Sequence, residues 1–113
     1  MHELSVAQEI IRIVQDEMAA HNLTRVIAIN VRVGVLSGLN PDALSFGFEA
    51  SVVDTPLAGA RLVIESVSLK GTCRACGKES DFEDIIIICP NCGSGEVALR
   101  QGEELEIASL EGE

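Results

Sequence analysis

The sequence predicts an α+β fold, with two helices packed on a small β-sheet and an inserted lobe organised by cysteines. Three observations predict it. Apolar residues recur every three or four positions over residues 4–20. Apolar residues alternate with small or polar ones over residues 25–35. Two C-x2-C pairs then interrupt the strand-forming segments late in the chain.

The first element is "LSVAQEIIRIVQDEMAA". Leu4, Ala7, Ile11, Val14 and Met18 form one stripe of a helix, while Gln8, Arg12, Gln15 and Asp16 face water. Asn22 tolerates the left-handed backbone that ends many helices. His21 lies at that helix end, where a protonated ring is favourable. "RVIAINVRVGV" follows as a strand. Its Ile27, Ile29, Val31, Val33 and Val35 point one way, and Ala28, Asn30, Arg32 and Gly34 the other. Asn40 suits an N-cap and Pro41 a first helical position. A second helix is expected over 41–53, burying Leu44, Phe48 and Val52. Residues 60–69 read as a strand. After the cysteines, Gln101-Gly102 reads as a turn between two short strands. No internal repeat or low-complexity tract interrupts this order.

Composition narrows the function. The chain has 113 residues, enough for one compact domain with a small satellite. Hydrophobic residues make up 47%, yet there are three Phe, no Tyr and no Trp, so the core must be aliphatic. Eighteen acidic residues against eight basic ones give a net charge of -10, which opposes binding to phosphate backbones. Cations or a basic partner surface fit better. No apolar run has the length to span a membrane, and the first residues lack a signal-peptide pattern. These features predict a soluble cytoplasmic protein without a nucleic-acid or membrane partner. No serine has a histidine base nearby in sequence pattern, and no phosphate-cradling glycine loop follows a strand, so no enzyme activity is expected.

In a reducing compartment, four cysteines suit a metal better than disulfides. Cys73 and Cys76 are followed after twelve residues by Cys89 and Cys92. Each short pair lets a tight turn aim two sulfurs at one point, and Gly77 and Gly93 can take positive φ just beyond. Four thiolates at tetrahedral corners suit Zn(II) and leave no open position, which makes the zinc structural. The expected layout is therefore an α+β domain over 1–70 plus 96–113 and a zinc-ribbon domain over 71–95. "IIII" at 85–88 is expected to form a strand into the second pair of cysteines. Its side chains either pack beneath the ribbon or offer a sticky partner surface.

The chain opens "MHELS". The His2 imidazole and its own backbone nitrogen can chelate one ion, and the Met1 amine or the Glu3 amide can close an adjacent ring. Nitrogen-rich, near-planar sets suit Ni(II) or Cu(II) rather than Zn(II). Taken alone, His2 reads first as a surface histidine near a helix start, where the dipole slightly disfavours its cation.

"MHELSVAQEI", "VRVGVLSGLNPDALSFGFE" and the later "CRACG…CPNCG" together resemble the HypA/HybF hydrogenase nickel-incorporation proteins, in order and over nearly the whole chain. The resemblance implies a nickel metallochaperone. It places nickel at His2 and Glu3 and structural zinc on Cys73, Cys76, Cys89 and Cys92. Some members carry an acidic residue near the nickel where Asn40 stands here, and Asp42 is the nearest acidic substitute. The implied partners are the HypB GTPase, the precursor of the nickel-iron hydrogenase large subunit, and urease maturation factors. Two other readings compete. One is a zinc-ribbon adaptor for protein or nucleic acid that delivers no metal, which the charge opposes. The other is a dithiol oxidoreductase, which a stable zinc would exclude.

Overall fold

The computed structural model describes residues 3–82 and 85–113. The order is α1 (Glu3–Ala20), β1 (Val26–Gly34), a short 3-10 turn (Val35–Ser37), α2 (Pro41–Ser51), β2 (Arg61–Val67), β3 (Leu69–Cys73), β4 (Glu79–Phe82), β5 (Val97–Gln101) and β6 (Leu105–Gly112). The strands form two three-stranded sheets, ordered β2-β1-β6 and β4-β3-β5. Among the described residues, no helix is long and apolar enough to cross a membrane.

The chain divides into two compact units. The first comprises residues 1–32, 39–65 and 106–113. Its core comes from the apolar stripe of α1: Val6, Ala7, Ile10, Ile11, Val14 and Met18 are buried. Leu4 departs from the expected stripe and is half exposed. Asn22, at φ 55, ends the helix in the left-handed region. Central strand β1 buries Val26, Ala28, Ile29 and Val31. Two consecutive buried positions, Ala28 and Ile29, break strict alternation. Ile27 is only half-buried, and Val35 leaves the strand for the 3-10 turn and is exposed. The polar side of β1 is cross-linked. Arg32 pairs with Glu65 of β2 at 3.4 Å and with Glu106 of β6 at 3.2 Å. Asn30 Nδ2 donates to Ser109 Oγ at 3.0 Å. Helix α2 starts as its sequence predicts, with Asn40 Oδ1 accepting from the Ala43 N–H at 3.1 Å and Pro41 in the first turn. It ends at Ser51, with Val52 as C-cap, and Leu44, Phe48 and Val52 are buried.

The second unit comprises residues 33–38 and 66–105. The single strand expected over 60–69 is two, divided at Ser68, and the two halves join different sheets. β3 is the centre of its sheet. It pairs with antiparallel β4 from Leu69–Phe82 to Thr72–Glu79, and with antiparallel β5 from Lys70–Gln101 to Cys73–Val97. Gly102 makes the expected turn at φ 115. There the backbone of Gly34 approaches so closely that an added Cβ would stand 2.1 Å from the Gly102 carbonyl oxygen, so neither position accepts a side chain.

The strand expected over 85–88 is absent. The β3–β4 ladder ends where Phe82 faces Leu69, the first residue of β3. The isoleucines stay open, with Ile85, Ile86 and Ile88 all more than half exposed.

Candidate metal centre

Two matching turns build the sulfur site. In the first, the Cys73 N–H donates to the Lys78 carbonyl at 2.9 Å and the Gly77 N–H to the Cys73 carbonyl at 2.8 Å. In the second, the Cys89 N–H donates to the Ser94 carbonyl at 2.8 Å and the Gly93 N–H to the Cys89 carbonyl at 2.8 Å. Gly77 and Gly93 sit at φ 79 and 77, as the expected positive-φ positions. Central strand β3 carries Cys73 into the first turn, and the Arg74 N–H donates to the Glu96 carbonyl at 2.8 Å, just ahead of β5.

The four sulfurs converge. Cys73 Sγ lies 3.5 Å from Cys92 Sγ, and Cys76 Sγ lies 3.7 Å from Cys89 Sγ. All four lie within 4.8 Å of one another. A tetrahedral ion with Zn–S bonds of about 2.3 Å needs sulfurs about 3.8 Å apart, so the quartet fits Zn(II). Among the described residues it is the one group of three or more His, Cys, Asp or Glu placed to hold an ion. Cys73 and Cys89 are buried, whereas Cys76 and Cys92 are exposed.

The turns already favour some thiolates. The Lys78 amide and the Asn91 side-chain amide draw Cys76 down to about 6. The N–H of Cys76, 3.5 Å from Cys73 Sγ, lowers Cys73. Cys92 goes the other way. The Ser94 amide favours its thiolate, but hydrogen bonding to Cys73, desolvation and the sulfurs of Cys89 and Cys76 push it up to about 12. Four close thiolates repel one another, and a dication removes that repulsion as it displaces the last protons.

Asn91 is a contributor that sequence reasoning overlooked. Its Nδ2 donates to Cys76 Sγ at 3.6 Å, reaching from one cysteine turn to the other. The available signal was an amide side chain inside "CPNC".

The remaining candidates lie in the first unit. Glu3 opens α1, and its Oε1 accepts from the Asn40 backbone N–H at 3.3 Å. The start of α1 is thereby tied to the N-cap of α2. Asn40 Oδ1 is occupied by its own helix through Ala43. Asp42 stands in the first turn of α2. His21 pairs with Glu17 one turn back, at 3.1 Å, as an exposed helix-end pair. His2 lies outside the described residues.

Comparison with known proteins agrees with this architecture. The chain is 42% identical over 111 residues to the hydrogenase maturation factor HypA of Geobacter metallireducens, covering 98% of each chain. It is 40% identical over 112 residues to that of a Roseiflexus species, covering 98% of this chain and 91% of the relative. Among solved structures, it resembles the solution structure of the Ni metallochaperone HypA from Helicobacter pylori, with a TM-score of 0.67 at 22% identity, covering 99% of this chain and 97% of that one; this likeness supports the fold. A family model described as hydrogenase/urease nickel incorporation, metallochaperone, HypA matches residues 1–112, and the chain belongs to that family.

Proposed function

We propose that the chain binds Ni(II) through its first residues and hands it to a nickel-iron hydrogenase during maturation. The observation that carries this reading is the family match, which runs from residue 1 and so includes the Met-His-Glu start. The donors are the His2 imidazole and deprotonated backbone nitrogens at His2 and Glu3, a set suited to Ni(II). The bond from Asn40 to Glu3 supports the reading, because it fastens the residue after His2 to a helix end. Asn40 adds no side-chain donor here, since its oxygen caps α2.

Zinc on Cys73, Cys76, Cys89 and Cys92 has a separate, structural role. A closed four-sulfur shell offers no open position for exchange. The recipient and helpers are the large-subunit precursor and the HypB GTPase in the cytoplasm, with urease maturation as a second destination. The protein acts by binding and transfer rather than by catalysis.

The test is calorimetric titration of Ni(II) into untagged His2→Ala protein, with zinc counted alongside. Specific nickel binding is expected to vanish while one zinc per chain remains. Full-strength nickel binding by the variant overturns the assignment. Acid is expected to eject nickel, because imidazole and amide donors bind only when deprotonated.

A further inference from the structure

Helix α2 has two unlike faces. Leu44, Gly47 and Phe48 are buried. On the other side Ala43, Phe46, Ala50 and Val53 follow one another at steps of three or four residues, and all are exposed. Such spacing places them in one row along the helix and its C-terminal extension. Phe46 is 75% exposed and Val53 is 65% exposed. Leu4 of α1, 50% exposed, reaches the margin of the row: its Cα lies 3.5 Å from where a Cβ on Gly47 would stand. Single exposed apolar residues are ordinary, but a continuous row centred on an aromatic ring marks an interaction surface.

Charge identifies the partner. Residues 33–60 contain no Lys or Arg; Asp42 and Asp54 near the row are exposed, and exposed Glu49 lines a pocket together with Arg61. A second copy of this chain would set those carboxylates against each other, and an anionic membrane would be repelled. We propose that this face of α2 docks a helix of another protein whose apolar stripe is flanked by Lys or Arg. Ala43 and Ala50 leave shallow notches on either side of the Phe46 ring, so a partner helix can approach to about 8–10 Å between axes. The ring then acts as the buried anchor, and the acidic border pairs with the partner's cations. This surface does not depend on nickel at the chain start.

The test uses the zinc-loaded full chain, labelled with 15N. It is titrated with a synthetic amphipathic peptide bearing Leu on one stripe flanked by Lys, and with a counterpart bearing Glu in place of Lys. The Lys peptide is expected to shift the amide resonances of Ala43, Phe46, Ala50 and Val53, and the Glu peptide to leave them in place. Phe46→Ser is expected to weaken the Lys peptide by about tenfold or more. Its thermal midpoint should stay unchanged, because the ring is exposed. Shifts centred away from α2, or undiminished affinity in Phe46→Ser, overturn the proposal. So does Phe46-dependent self-association in sedimentation, which would assign the face to a second copy.

Discussion

The two compact units are held together by different physics. The unit built from residues 1–32, 39–65 and 106–113 buries an aliphatic core around Phe48, with Val14, Ile29, Leu44 and Leu57 fully inside. The unit built from residues 33–38 and 66–105 has a much thinner apolar interior, and two of its buried side chains are the cysteines Cys73 and Cys89. Small units that cannot enclose enough apolar surface substitute a metal for a core. The contrast teaches that one chain can draw its order from oil-like burial in one part and from coordination in another.

The strongest way to break this contrast is to remove zinc. Metal binding to four-thiolate sites of small domains is coupled to folding by roughly 10 kcal/mol. A chelator, or Cys89→Ser, is expected to abolish amide protection in β3, β4 and β5 while α1 and β1 stay protected in hydrogen exchange. Simultaneous loss of protection in α1 would show that the units share one source of order. The reverse experiment cuts the aliphatic core. Phe48→Ala is expected to cost about 3–5 kcal/mol in chemical denaturation, with one zinc per chain retained.

A smaller change probes the sulfur site from outside its four ligands. Asn91→Ala should weaken zinc by about tenfold in competition with a chromophoric chelator. The same variant should raise the pH at which Cys76 of the metal-free protein becomes reactive. With Asn91 present, Cys76 is a thiolate above about pH 6 and is alkylated ahead of Cys92, whose thiol stays protonated up to about 12. As pH falls below about 6, alkylation of Cys76 in the metal-free protein slows, because its thiolate takes up a proton. Equal alkylation rates for the two exposed cysteines at neutral pH would contradict this ordering. The smallest effect belongs to Asn40→Ala, which should cost about 1 kcal/mol of stability through the lost α2 cap and leave zinc content unchanged.

Much of the aliphatic unit was legible in the sequence, because its signals are local. The stripe of α1, the Asn40-Pro41 start of α2 and the left-handed Asn22 each follow from a few neighbouring residues. The cysteine spacing was legible for the same reason, and so were the positive-φ glycines Gly77 and Gly93. Two features depend on distant partners and misled. The local pattern of "ESDF" at 79–82 assigns it no element, yet it becomes β4 because β3 offers it a register. "IIII" at 85–88 has every local mark of a strand and forms none; the β3–β4 ladder already ends at Leu69 and Phe82. The split into two sheets was hidden in the same way. β5 and β6 are neighbours in sequence across Gly102, but their pairing partners, β3 and β1, lie in different sheets. Asn91 escaped notice because its contact is to a sulfur fifteen positions earlier, in the other cysteine turn, a relation that spacing alone does not display.

The placement of β6 has a consequence for biosynthesis. This strand is hydrogen-bonded beside β1, yet it is made last, after all four cysteines. A ribosome adding about 5–20 residues per second therefore polymerises all four cysteines before β1 can gain its second neighbour. Closure of that sheet waits until the sulfur quartet has been made.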